Sequence, residues 1–158
     1  MRIERPASVR QIVAAAGLFD APPRREWAQE FLSAQGHHLF FAYEEEAGPE
    51  PVGFISGVET VHPDKGREMF LYELGVAGPY RRRGVARALI RALAGLAREH
   101  GCYGMWVGVD PENEPALAAY RSAGGVVDGP CTVVDWDLSD DTDDTDDAPA
   151  ADPADGTR

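Results

Sequence analysis

The chain has 158 residues, 44% hydrophobic and 27% charged, which is the balance of one ordinary globular domain large enough to bury a core. Its net charge of −12 comes from 27 acidic against 15 basic residues, and residues 139–158 alone hold eight Asp and one Arg, so the surplus is largely a tail that repels polyanions and argues against a general nucleic-acid binder. The longest apolar run, residues 12–19, falls short of the roughly 20 residues of a membrane span, residues 1–5 lack a signal-peptide core, and Cys102 and Cys131 make neither a disulfide framework nor a metal cluster; a reducing cytoplasm is the expectation.

Residues 2–5 read as an edge strand. Ser8 is a helix cap before the apolar-periodic Val9, Ile12, Val13 and Ala16, and the turn at residues 20–23 ends that segment. Trp27, Phe31 and Leu32 sit at helical spacing, stopped by Gly36. Two strands follow at residues 38–43 and 52–61, joined by a hairpin turn over residues 44–51. Residues 69–76 form a third strand, broken by Gly78-Pro79. The clearest helix covers residues 83–100, with Val85, Leu89, Leu93, Leu96 and His100 recurring every three or four positions. A strand over residues 103–109, a helix over 113–123 ended by Gly124-Gly125, and strands at 126–127 and 132–138 complete the folded part. The Asp-rich segment 139–158 has too little apolar content to offset its ordering entropy and is expected to be disordered. The order β-α-α-β-β-β-α-β-α-β-β predicts a single domain of the α+β (mixed α/β) class over residues 1–138.

The informative stretch is the third strand, the loop behind it and the long helix. A helix start leaves several N–H groups without partners and carries partial positive charge, and a phosphate answers both. Gly84 and Ala86 are small enough for close approach. Arg81, Arg82 and Arg83 crowd an end where a helix prefers acids, a placement that needs an anion. Neither the dinucleotide-binding glycine pattern nor the Walker phosphate loop is present. Glu73 is a second signal, because a carboxylate inside an apolar strand is costly unless it is paired or used. Alternation places Tyr72, Leu74 and Val76 on one face and Leu71, Glu73 and Gly75 on the other. His37, His38, His62 and His100 show no metal-ligand spacing and read as strand-edge or helix-end residues.

Residues 76–86, Val-Ala-Gly-Pro-Tyr-Arg-Arg-Arg-Gly-Val-Ala, resemble the acyl-CoA loop of the GNAT superfamily of N-acetyltransferases, and the element order of residues 1–138 is similar to that fold, a central mixed, mostly antiparallel sheet flanked by helices. Residues 68–90, Val109-Asp110, Pro115-Ala-Leu-Ala-Ala-Tyr120 and Asp135-Trp-Asp137 resemble type I aminoglycoside 3-N-acetyltransferases. Those enzymes usually carry Asp where Glu73 stands and Asp-Asp-Pro where Asn113-Glu114-Pro115 stands.

The resemblance implies acetyl transfer from acetyl-CoA to a small-molecule amine, with no metal. It makes Glu73 the base and Tyr120 the general acid near the CoA sulfur. It gives the backbone of Leu74, Gly75 and Val76 to the pantetheine arm. Arg81, Arg82, Arg83, Gly84, Val85 and Ala86 would hold the diphosphate, and Asn113 and Tyr120 would touch CoA. Asp110, Glu112, Glu114, Asp135 and Asp137, with Glu73, would bind a cationic acceptor such as an aminoglycoside at its 3-amino group. On the residues alone Tyr120 is equally a core tyrosine, Asn113 a plain N-cap, and each loop acid a solvated one. A polyamine or a protein N-terminus as acceptor, or a catalytically silent acyl-CoA sensor, stays open. A homodimer through the last strands is also implied.

Overall fold

The computed structural model describes residues 1–129 and Val134. Nine regular elements follow in chain order: β1 (Arg2–Glu4), α1 (Val9–Ala14), α2 (Arg25–Ser33), β2 (His37–Tyr43), β3 (Gly53–His62), β4 (Gly66–Val76), α3 (Val85–Glu99), β5 (Met105–Trp106) and α4 (Glu114–Ser122). As far as α4 this is the order expected from the sequence. The sheet runs β1-β2-β3-β4-β5, antiparallel through β4, with β5 added parallel. No described helix is long and apolar enough to cross a membrane.

The sheet separates two cores. On one face α3 buries Val85, Leu89, Ile90, Leu93 and Ala97 against Ala42, Ile55, Met69 and Leu71. Each such aliphatic side chain contributes about 1.5–3 kcal/mol when fully buried. Gly57 lets the helix close on the sheet, since a Cβ there would stand 2.9 Å from both Leu93 methyls. On the other face α1 and α2 bring Ile12, Ala15 and Ala28 against Leu39, Phe41 and Phe54. Ser8 caps α1 through its side chain, and Asn113 caps α4 in the same way.

Several expectations are corrected. The register between β3 and β4 shifts at Ser56/Gly57, so that Ser56 pairs with Glu73 and Gly57 with Leu71. Tyr72 is the extra residue of a bulge, and the side-chain phase changes there. Leu71 therefore shares the α3 face with Leu74 and Val76 instead of lying with Glu73. The strand expected at 103–109 contracts to Met105–Trp106, because β5 follows β4 only along Met69 and Phe70. Val126 and Val127 form no strand; both are exposed, and no described strand lies beside them. The long helix begins at Val85, since Gly84 adopts φ +85°. The hairpin turn over 44–51 contains a 3-10 turn, Glu45–Ala47. Apart from Val134, the strand expected at 132–138 lies outside the described residues, as do Asp135, Asp137 and the acidic tail.

Candidate active site

Where β5 stops at its pairing with Phe70, β4 runs on for six more residues, and from Leu71 to Val76 no described strand covers its outer edge. Beside this edge lies a cleft of about 330 Å3. One wall is Glu73, Leu74, Gly75 and Val76 of β4. The other is Gly17, Leu18 and Asp20, from the connection between α1 and α2, and Arg81 stands at the end.

Glu73 is half-buried at this cleft. Burial, and after it the negative charge of Asp20, pushes its carboxyl above the ordinary carboxylate range. Neither carboxylate makes an ion pair among the described residues. A raised, unpaired carboxyl at a polar cleft has the character of a general base. Asp20 carries no signal in the sequence beyond a turn residue; it reaches Glu73 only through the packing of α1 on the sheet.

Gly75 is demanded by tertiary contact. A Cβ on it would fall 2.4 Å from the Phe54 ring and 3.3 Å from the Leu18 carbonyl oxygen. The bulge itself lies at Tyr72, so Gly75 marks the close approach of the opposite wall. Farther back along β4, Phe70 and Tyr72 form an aromatic face with Trp106 of β5. The Phe70 and Trp106 rings are 4.4 Å apart, and Phe70 meets Tyr72 edge to face at 6.0 Å. Tyr72 and Trp106 are exposed.

The loop after β4 begins with a 3-10 turn, Gly78–Tyr80, and reaches α3 through two left-handed residues, Arg82 at φ +62° and Gly84 at φ +85°. Alternation of this kind turns successive N–H groups toward one concavity suited to an anion. Gly84 is the N-cap of α3 and has no side chain with which to satisfy the helix's first N–H groups. The three arginines diverge. Arg81 Nε donates to the Val76 carbonyl at 3.0 Å and lines the cleft. Arg82 is exposed. Arg83 pairs with Glu46 at 3.0 Å and lies over the Tyr80 ring at 5.3 Å. An open strand edge, a left-handed glycine cap and unsatisfied helix N–H groups fit the pantetheine and diphosphate of CoA, with Val85 and Ala86 supplying the first turn.

The remaining expected residues lie apart from the cleft walls. Tyr120 is half-buried on α4 against the α3 core, and burial raises its phenol. Asn113 accepts from the Ala116 N–H at 3.2 Å as an N-cap. Asp110 accepts from the Glu112 N–H at 2.8 Å, and Glu114 stands 4.0 Å from Arg121. Glu112 is exposed. Local structure thus accounts for Asp110 and Glu114 without a ligand.

The profile of the Acetyltransferase (GNAT) family matches residues 7–124. The L-2,4-diaminobutyric acid acetyltransferase of Streptomyces coelicolor is 36% identical over 46% of this chain and 42% of its own length. The streptothricin acetyltransferase of Streptomyces lavendulae is 36% identical over 37% of this chain and 31% of its own. The matched segment thus spans less than half of these curated relatives. Among solved structures, an aminoglycoside acetyltransferase from an uncultured soil metagenomic sample, in complex with sisomicin, superposes with a TM-score of 0.77 at 21% identity. That match covers 87% of this chain and 95% of the other, and it speaks for the fold. With the β4 bulge, the open strand edge and the glycine-capped α3 in place, the profile match over most of the chain establishes that this protein belongs to the acetyltransferase (GNAT) family.

Proposed function

We propose that the protein transfers the acetyl group of acetyl-CoA to an amine of a cationic small molecule, with residues 1–138 as its catalytic unit. The 3-amino group of an aminoglycoside is the finer reading. The observation that carries the proposal is Glu73, a half-buried carboxylate with no ion-pair partner among the described residues, at a polar cleft beside the edge of β4 that no described strand covers.

In this reading Glu73 takes the proton of the acceptor ammonium, directly or through water, and frees the nitrogen lone pair. A new N–C bond forms at the thioester carbonyl as the C–S bond breaks. A β4 backbone N–H beyond the bulge steadies the carbonyl oxygen while it carries negative charge. The thiolate takes a proton from Tyr120, whose raised phenol keeps its proton at neutral pH, and the second proton of the former ammonium, shed by the nitrogen as the amide forms, restores the Tyr120 phenol. Leu74, Gly75 and Val76 hold the pantetheine arm as an added strand, and the Arg81–Ala86 loop, with Asn113 at the start of α4, holds the nucleotide end. Asp20 and Glu73 draw a cation to the cleft, and Tyr72 and Trp106 give it aromatic faces. Asp110, Glu112 and Glu114, near the start of α4, are the further acids proposed to attract the cationic acceptor, together with Asp135 and Asp137, which lie outside the described residues.

A diamino acid is a second reading. The cleft sets the guanidinium of Arg81 beside two carboxylates, a pattern that complements a zwitterion, and one relative is named for L-2,4-diaminobutyric acid. The test is thiol release from acetyl-CoA in the presence of gentamicin, spermidine or 2,4-diaminobutyrate in turn. Turnover with gentamicin, and a 3-N-acetyl product by mass spectrometry and NMR, is the expected result. Release with the diamino acid alone selects the second reading. Absence of release with every amine, while CoA still binds, defeats both.

A further inference from the structure

On the α3 face of the sheet, at the end remote from the cleft, side chains from four other parts of the chain gather around Glu59 of β3, three of them bonding to it directly. Its carboxylate, 4% exposed, accepts from His38 Nε2 at 2.6 Å and from His100 Nδ1 at 2.5 Å. Arg67 of β4 donates to its other oxygen. Arg5, in the loop after β1, donates to His38 Nδ1 at 3.0 Å. The His38 and His100 rings meet edge to face at 5.2 Å. Ligating atoms of His38, Glu59 and His100 lie within 4.8 Å of one another, a spacing that would also suit a metal ion.

Arg5 decides against the metal. A guanidinium has only donors, so the His38 nitrogen facing it presents a lone pair. The neutral ring then carries its proton on Nε2, where it is donated to Glu59. A metal on Nε2 would require the proton on Nδ1, pointing at Arg5, and two donors would collide. A second proton on the ring meets the same collision. The surroundings offer it little help. Arg5, Arg67, His100 at the end of α3 and the Cys102 thiol beyond it face the pair, and among the described residues Glu59 is the one carboxylate in contact. Burial, opposed by the bond to Glu59, holds His38 below its ordinary value.

We propose that Arg5, His38 and Glu59 form a proton-sensitive latch: neutral His38 fastens the segment after β1 to the sheet, and a proton on His38 ejects Arg5 and frees that segment. The freed stretch continues through buried Pro6 and the cap Ser8 into α1, and from there to Gly17, Leu18 and Asp20. Acid release therefore loosens the acceptor wall of the cleft from a distance.

Hydrogen exchange of the full chain, read by mass spectrometry and corrected for intrinsic rates, tests this between about pH 8 and about pH 5, the range in which histidine charges. Peptides covering residues 2–8 are expected to lose protection by up to about tenfold per pH unit, the slope of a single linked proton, while the interior of α3 holds. His38→Gln offers an oxygen to Arg5 and an N–H to Glu59 without titrating, and its profile is expected to be flat. Arg5→Ala, a change at an exposed residue, is expected to lower protection of the same peptides already at pH 8. A wild-type slope in His38→Gln, or unchanged protection in Arg5→Ala, overturns the latch. So does zinc-induced protection of these peptides that is lost in His100→Ala, which would make the cluster a metal site. If His38→Gln does not fold, Arg5→Ala decides.

Discussion

Asp20 and Glu73 reach one cleft from opposite walls, and the charge of Asp20 adds to burial in raising the carboxyl of Glu73. The proposed base, Glu73, works only when ionised, so acetylation should fall as the pH drops through that raised value. Asp20→Asn removes the repulsive charge, lowers the Glu73 carboxyl toward its ordinary range, and should move the acid limb of the pH–rate profile to lower pH. Glu73→Gln should reduce turnover by roughly 10²–10⁴-fold, the worth of a positioned general base, with CoA affinity unchanged in calorimetry. An acid limb that stays in place in Asp20→Asn would separate the two carboxylates.

The missing side chain of Gly75 makes room for the Phe54 ring of β3 and for the Leu18 carbonyl across the cleft. Gly75→Ala places a methyl 2.4 Å from the Phe54 ring, against both backbone and aromatic neighbours. Overpacking of this kind costs about 1–3 kcal/mol, so the urea midpoint should fall. Phe54→Leu in the same chain should restore part of the loss, because the clash is with the ring edge. Equal losses in the single and double variants would place the strain elsewhere.

The loop into α3 separates fold from binding. Arg82 holds φ +62°, a region that costs a non-glycine residue roughly 1–2 kcal/mol. Arg82→Gly should therefore leave the melting temperature level or higher, yet weaken CoA binding by loss of a cation at the diphosphate. Arg83→Ala should act in the other sense, with modest effect on CoA, since that side chain is already taken by Glu46 and Tyr80. Gly84→Ala, at φ +85°, should lower both stability and CoA affinity.

Local chemistry explains which features were legible before the structure. Ser8, Asn113 and Gly84 act through neighbours three or four residues away, and the α3 stripe repeats with the helix itself, so spacing alone exposes them. The bulge at Tyr72 is different. Strand alternation holds only while no residue is inserted, and nothing local to Leu71 says that Gly57 across the sheet will pair with it. Asp20 meets Glu73 across 53 positions of sequence, and the partners of Glu59 are 21, 8 and 41 positions away. A search for histidines at ligand spacing misses such a cluster because its members lie on β2, β3, β4 and the end of α3. The same holds for Arg83, whose role as a phosphate cation looked equal to that of its neighbours until Glu46 was found beside it.

Glu59 makes the fold acid-sensitive in a defined window. Burial alone would raise its carboxyl, but hydrogen bonds from His38, His100 and Arg67 outweigh that and hold it at about 2, against an ordinary 4.5. Between those values the unfolded chain takes up a proton that the folded protein refuses, so stability is present above about 4.5 and is lost as the pH falls toward 2. His38 works in the same direction from a higher start. Its folded value lies below the ordinary 6.5, so the unfolded chain charges first and stability begins to decline below that pH. Urea midpoints across the acid range should therefore fall in two stages. His38→Gln should remove the upper stage and leave the lower. Glu59→Gln should remove the lower stage and also destabilise the protein at neutral pH, because the amide keeps one accepting oxygen but loses the charge and sets an NH2 donor against the donors of Arg67 or the histidines. That loss should lie toward the lower end of the roughly 3–5 kcal/mol seen for broken buried pairs, since Arg67 is 44% exposed and can rehydrate. A Glu59→Gln protein as stable as the wild type at neutral pH, with the lower stage still present, would show that another carboxylate governs acid unfolding.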